Sequence, residues 1–423
     1  MDANHQITKG MTIQHIKKHL KKYLIGAATL IGAVSSGVYV NNTYNENNQP
    51  QVVITPNKQD IAEGEEPQDA NTVSYEDMSK GAKKAYLDME NDKDEPEVIS
   101  GTTRERIVCY NVENLFDTED DPKNHGDDDF TPDGKYQWTD LKYNTKLKHI
   151  STAIKEAGNG ISPMIVGLVE MENKEVLEDL IQQDALKNHG YAIIHKNSRD
   201  PRGIDVALLY QKNKLVQKGI DWINCEPTRS HSNMREILHC TFIIKSNNEK
   251  LHVFINHWPS MKDGEEETEP KRIIAATALR NAVSEVHAKE GENANIVIMG
   301  DFNSLPSSKS QHETLGVRLN KEKYESADLY NLLSKYEDNP NIGTHKFNQK
   351  WDVIDQVIVC ANLLDKKNDI FTTANSAHIC HKKFLLKQSN SGYYSPKRAL
   401  SGYVWSNGYS DHLPVSLDLY IKQ

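Results

Sequence analysis

From Arg104 to the C-terminus, short apolar runs alternate with polar stretches in the rhythm of strands and helices. Runs rich in β-branched residues, apolar at consecutive positions, have the length of strands covered on both faces. They fall at 106–110, 164–169, 191–195, 206–210, 238–244, 251–256, 296–299, 356–359 and 415–420. Helical spacing fits 143–157, 174–184 and 272–289. The last begins just after Glu269-Pro270 and keeps Ile274, Ala278, Leu279, Ala282 and Val286 on one face. Many strands flanked by fewer helices predict stacked sheets with helices outside. No internal repeat is visible.

The N-terminal hundred residues follow other patterns. Residues 1–22 are basic, with Lys17, Lys18, Lys21 and Lys22 leading into an apolar run, 23–40, rich in small residues. That order reads as an export signal, and Ala33-Val34-Ser35 offers a small-x-small cleavage site. The run also approaches bilayer-spanning length, so an uncleaved anchor touching the membrane is the alternative. A buried helix is the reading without export. Glycines and serines make the run a poor span and favour cleavage. Either targeting reading puts the protein outside the cytoplasm, as periplasmic, secreted or membrane-anchored. Residues 41–102, rich in Asn, Asp, Glu and Gln, are expected to form an acidic, largely disordered linker with one short helix near 75–89. The folded domain is then 103–423.

Composition limits the partners. The formal charge of −10 and mean hydropathy of −0.68 give no general basic field for a polyanion. Positive charge for an anionic substrate must therefore be local or supplied by a metal. The 5 cysteines are odd in number and lack a CxxC pair, which argues against a zinc site or disulfide framework. A monomer is expected.

Chemistry collects where strands end. The apolar run before Gly300 yields abruptly to Asp301 and Asn303, two residues apart and hence on one face of an extended chain. Gly300 lets backbone approach closely there. Asn111 ends another strand, Glu170 another, and Asn256-His257 precedes Trp258-Pro259. Asp355 sits against a strand, and Asp411-His412 precedes the final one. A single such residue is ordinary turn chemistry. Repetition of carboxylate, amide and imidazole suits a hard cation such as Mg²⁺ together with acid–base histidines.

The segments YNVENLF, GLVE, NHWPS, GDFN, WDVIDQVIV and SDHLPV, in this order, resemble the motif set of the endonuclease/exonuclease/phosphatase superfamily, whose members include deoxyribonuclease I. The resemblance covers about residues 104–422, and the forms YNVENLF and NHWPS most resemble its bacterial, often exported, branch. It implies an α/β four-layer sandwich, two mixed β-sheets packed face to face and flanked by helices, with the site where strands of both sheets end. It also implies that Glu170 ligates Mg²⁺ or Mn²⁺, with Asn111 and Asp411 in or near that shell and Ca²⁺ at a secondary site. Asp301 and Asn303 would orient and activate the attacking water and hold the scissile phosphate. His412, oriented by Asp355, would contact phosphate or act as base. His257 would protonate the leaving oxygen, with Asp205 as a carboxylate beside it, and Arg235 would bind phosphate.

Asp352 competes with Asp355, but the strand register favours Asp355. Glu113 is either an outer ligand or a local cap. One departure is Ile354, where many relatives carry a basic residue. The acidic stretch 261–270 would repel a polyanion if it faced the site. The implied activity is a metal-dependent nuclease acting on DNA or RNA, or a hydrolase of a small or lipid phosphoester; an inert binding module is the reading from another class. For a nuclease, the candidate basic strip is Lys196, Arg199, Arg202, Arg229, Arg235, Lys382, Lys383, Lys387, Lys397 and Arg398, with Tyr393, Tyr394 and Tyr403 placed to stack on bases.

Overall fold

Two seven-stranded mixed sheets carry the fold of this computed structural model, which describes residues 40–44, 50–54, 72–226, 233–319 and 328–422. The lysines at 17–22 and the expected cleavage site lie outside the described residues. Among those described, no helix is long and apolar enough to cross a membrane. The chain divides into two units, residues 1–69 and 70–423. In the first, Val40–Tyr44 and Pro50–Ile54 pair as an antiparallel hairpin. All that follows concerns the second.

One sheet runs Ile370–Phe371, Val415–Lys422, Thr102–Leu115, Ile165–Met171, Asp205–Gln211, Tyr191–His195, with Ala377–Ile379 also on the Val415–Lys422 strand. The other runs Val317–Leu319, Leu329–Asn331, Asp355–Cys360, Ile296–Asp301, Lys250–His257, Ile237–Ile244, Leu215–Ile223. Every residue of Ile296–Asp301 and of Asp355–Cys360 is buried, as unbroken apolar runs require when a second sheet covers one face and helices the other. The sheets meet through their central strands: Ile296–Asp301 packs on both Thr102–Leu115 and Ile165–Met171. The helix Asp140–Ala157 buries Tyr143, Leu147, Ile150 and Ile154 against the first sheet, with Lys174–Ile181 beside it. This is the expected four-layer α/β sandwich.

Two expectations need correction. The folded unit begins near residue 70 rather than at 103. Ser79 caps a helix, Lys80–Asn91, whose Ala82, Ala85 and Met89 form a narrow buried stripe. Its Asp88 accepts from Asn341 at 2.6 Å, and Asp92 from Tyr336 at 2.9 Å. The short helix expected near 75–89 is therefore present, but as part of the folded unit: a buried stripe of only three small or flexible side chains gave no sign in composition that it docks. The long helix also starts earlier, at Glu265, so Pro270 lies inside it and most of the acidic stretch is helix rather than loop. Glu265, Glu266 and Glu267 occupy its first turn, where unsatisfied N–H groups and the helix dipole favour negative charge.

Candidate active site

Register builds half of the site. His257, Asp301 and Asp355 are direct partners across three neighbouring strands, so one row of one sheet presents an imidazole and two carboxylates. Gly300, at φ 144°, precedes Asp301, and a Cβ there would lie 2.0 Å from the Asn256 carbonyl oxygen. Glycine is therefore required for the strands to come this close. The other sheet contributes through irregularity. Its pairing shifts after Asn111 and again after Val169, and Glu113, Asn114 and Glu170 adopt positive φ of 53°, 54° and 69°. These bulges turn Glu170 away from the alternation of its strand and toward the first row.

Asp301 Oδ2 is the hub. It accepts from Asn111 Nδ2 at 3.0 Å and lies 3.8 Å from His257 Nε2 and 3.9 Å from His412 Nε2. Its Oδ1 accepts from the Asn303 backbone N–H at 2.9 Å. Burial first, then the charges of Asp355 and Glu170, push the Asp301 carboxyl up to about 7 despite His412. His412 Nδ1 pairs with Asp355 Oδ2 at 2.7 Å, the orienting contact expected from sequence, whereas Asp352 instead pairs with Lys350. Burial opposes charge on His412, but Asp355, Asp301 and Asp411 outweigh it and hold the imidazole protonated well above its ordinary range. Asp411 is lowered even though burial opposes this, because His412, His345, Arg398 and Lys146 surround it.

Glu170 Oε2 accepts from Asn114 N–H at 3.0 Å, while among the described residues Oε1 has only His257 Nε2 at 3.8 Å and Arg202 Nη1 at 3.9 Å. Glu170 thus keeps an oxygen without a close hydrogen bond, and Asp301 and Asp411 each present an oxygen 3.9 Å from His412 Nε2, an oxygen-rich floor whose chemistry fits a hard divalent cation. Asn111 fits less directly: its oxygen accepts from Glu113 N–H at 3.0 Å and its nitrogen faces Asp301. Asn303, at φ 46°, donates to the Trp258 carbonyl at 3.0 Å and so ties the two strand-end turns together.

Two assignments change. Asp205 is not beside His257; its Oδ2 meets His195 Nε2 at 2.8 Å and its Oδ1 accepts from Ser198 N–H at 2.8 Å. His257 Nδ1 is buried without a hydrogen-bond partner, and burial, then Arg235, Arg202 and His412, hold the ring neutral. The short reach of Asp205, at the first residue of its strand, favours the neighbouring strand's His195. Arg235 is a strut more than a free phosphate ligand: it pairs with Asp200 and donates to the carbonyls of His257 and Trp258 at 3.1 and 2.9 Å. Of the basic strip, Arg202 and Arg398 reach the site. Lys196, Lys382 and Lys383 pair with Glu236, Glu156 and Glu90, and Arg229 lies outside the described residues. Tyr394 packs against Tyr86, and Tyr403 against Tyr136.

Lys146 and His345 were not legible as participants, and Arg398, expected only as a contact for nucleic acid, also braces the floor. Buried Lys146 donates to the Glu113 carbonyl at 2.5 Å. Its signal was a lysine on the apolar face of a helix, beside Tyr143, Leu147 and Ile150. Arg398 bridges Glu113 at 3.2 Å and Asp411 at 3.0 Å. The His345 ring lies 4.7 Å from that of His412 and carried no local signal. Two cavities adjoin this floor. One, of about 470 Å³, is lined by Arg202, Arg235, Lys262 and Lys271 among others. The second, of about 250 Å³, is lined by Lys346, Asn348, Gln349, Tyr393, Arg398 and Asp411 among others.

Residues 106–421 match the model of the Endonuclease/Exonuclease/phosphatase family. No curated protein matches the chain. Similar solved structures include an endonuclease/exonuclease/phosphatase family protein from Bacteroides thetaiotaomicron, at 18% identity and TM-score 0.47, covering 76% of this chain and 96% of that one. TDP2 of D. rerio, complexed with a single-strand DNA product, is 14% identical at TM-score 0.44, covering 75% and 99%. Mannosyl-6-phosphatase Bt3783 of Bacteroides thetaiotaomicron is 16% identical at TM-score 0.44, covering 74% and 99%.

Proposed function

The chain belongs to the Endonuclease/Exonuclease/phosphatase family and is a phosphoesterase, and we propose that it is a divalent-metal-dependent phosphodiesterase whose substrate is DNA or RNA. The observation that carries the diester reading is the pair of cavities adjoining one floor, on the Arg202 and the Arg398 sides. A monoester needs room for one substituent on phosphorus; a diester needs room for two. Arg202, Arg235, Lys262 and Lys271 outnumber Glu226 and Asp263 around the larger cavity, a local positive excess on a chain of net −10 that favours an anionic substrate.

Glu170, with Asp411, would hold the cation, which would supply Lewis-acid charge to the phosphoryl and leaving oxygens. Asp301, with its carboxyl raised to about 7, is matched to accept a proton from the attacking water near neutral pH. Protonated His412, fixed by Asp355, donates to a phosphoryl oxygen where negative charge develops. His257, neutral in this setting, offers a ring nitrogen 3.8 Å from Asp301 and Glu170 as a hydrogen-bond donor toward the leaving oxygen.

The test is hydrolysis by the purified protein of DNA, RNA, sphingomyelin and inositol phosphates with Mg²⁺. Cleavage of nucleic acid is expected, with loss in EDTA and in Glu170→Gln and partial return of the variant at high Mn²⁺. Full activity in EDTA would remove the metal from the reading. Clear preference for an inositol phosphate or sphingomyelin would replace nucleic acid by a small or lipid phosphoester. Export belongs to the same proposal and rests on Lys17 to Lys22 before the apolar run. A reporter active only outside the cytoplasm, fused after residue 45, should be active, and deleting those lysines should silence it. Equal reporter activity without them would count against export.

A further inference from the structure

The loop after the Thr102–Leu115 strand is dense in carboxylates: Asp117, Glu119, Asp120, Asp121, Asp127, Asp128 and Asp129. Asp120, Asp127 and Asp128 each present an oxygen, and these three atoms lie within 4.8 Å of one another. Asp120 and Asp128 are exposed, but Asp127 is only 1% exposed. One oxygen of Asp127 accepts from Asp121 N–H at 2.8 Å. The other, Oδ1, is buried and accepts no hydrogen bond. A carboxylate oxygen withdrawn from water without a donor is costly unless a cation meets it.

The local charge balance makes this worse. Burial first, and the charges of Asp120 and Asp121 with it, push Asp127 upward. Lys135 is engaged with Asp129 at 3.0 Å, and His125 stands 3.6 Å from Asp128 while largely in solvent. Neither provides the orphaned oxygen with a donor.

We propose that this loop binds a Ca²⁺ ion through Asp120, Asp127 and Asp128. The donors are all oxygen, which disfavours softer metals. Two ligands on flexible exposed loop positions suit Ca²⁺, which takes 6–8 oxygens, waters and carbonyls among them, in adaptable geometry; Mg²⁺ demands a tighter octahedron. The ion would be structural and would act at a distance on the catalytic floor. A Cβ on Gly126 would lie 2.3 Å from the Arg202 carbonyl, so the loop backbone rests on the segment whose Arg202 guanidinium faces Glu170.

The experiment is thermal unfolding of the full chain, stripped with EDTA and returned to excess Mg²⁺, as Ca²⁺ rises into the millimolar range. The wild-type midpoint should rise by several degrees as the ion binds the folded state. Asp127→Asn should abolish that response and, without Ca²⁺, melt at or above wild type because a repelled buried charge is gone. Asp120→Asn combined with Asp128→Asn, both on the surface, should also lose the response and serves if Asp127→Asn does not fold. No Ca²⁺-dependent rise in wild type, or an equal rise in wild type and variants, would overturn the site. The readout does not involve catalysis, so it stands or falls apart from the substrate.

Discussion

Arg106 and Asn111 lie on one strand, five positions apart, yet the clusters around them handle buried charge in opposite ways. Around Arg106, both partners are satisfied. Its guanidinium, wholly buried, bonds both oxygens of Asp418 at 2.6 and 2.7 Å and both oxygens of Asp94 at 2.5 and 2.8 Å. Burial would raise Asp94, but Arg106 wins and holds it below the usual range. Around Asn111, the Arg202 guanidinium comes only to 3.9 Å from Glu170, no arginine among the described residues pairs with Asp301, and Asp301 is driven up to about 7. By spacing alone the two look alike, since Asp94, His378 and Asp418 cluster as closely as Asp301, Asp355 and His412. A fork that matches two carboxylates makes a structural strut; carboxylates left short of cations make a reactive site.

That contrast can be broken at either end. Asp301→Asn should lower kcat about 10⁴-fold, or about 5.5 kcal/mol in barrier, by removing the proton acceptor. Its unfolding midpoint should stay level or rise, because an unfavourable buried charge is gone. A variant that lost stability along with activity would put Asp301 in the same class as Arg106. Arg106→Met should do the reverse, costing about 3–5 kcal/mol in urea unfolding by stranding Asp94 and Asp418, while specific activity of the folded fraction is retained. Wild-type resistance to urea would mean that the strut contributes nothing.

A third cluster sharpens the comparison. Asp221, His239, His252 and Glu290 form a chain with contacts of 3.3, 3.0 and 2.9 Å, reaching the strand that ends in His257 near its start. Burial first, then the charge of His252, lowers His239 to about 4. Its folded value lies below its unfolded one, so the unfolded chain binds more protons as pH falls from about 6.5 to about 4. Stability should therefore be lost through that window, by on the order of 3 kcal/mol from this group. His239→Phe, which keeps the stack on Phe254, should flatten that part of the pH–stability curve. An unchanged curve would mean that this histidine is already charged in the folded state.

Much of the catalytic floor was legible because its signals are local. Asp301 and Asn303 follow a buried apolar run by a fixed step, and Asn111, Glu170, Asp355 and His412 announce themselves in the same way; the structure brings all six to one place. The partners of those residues were less legible. Asp205 near His257 and Arg235 near phosphate were inferences about two side chains meeting, and the packing gave both to other groups. The role of Lys146 and the docking of the expected helix, Lys80–Asn91, were hidden for a related reason: each is polar or weakly apolar by composition and finds its place only against a surface built from elsewhere in the chain.

The sequence by itself determined the strands, their polar ends, their order and the family, because strand burial and strand termination are written in runs of a few adjacent residues. Only the tertiary structure decided which charges are paired and which are left in want of a cation. That depends on one row of strand register, on the bulges at Glu113 and Glu170, and on whether an arginine fork reaches two carboxylates, distances of a few ångströms between residues hundreds of positions apart. Electrostatic energy inside a protein changes steeply over those distances, so the same residue types make a strut at Asp418 and a site at Asp301.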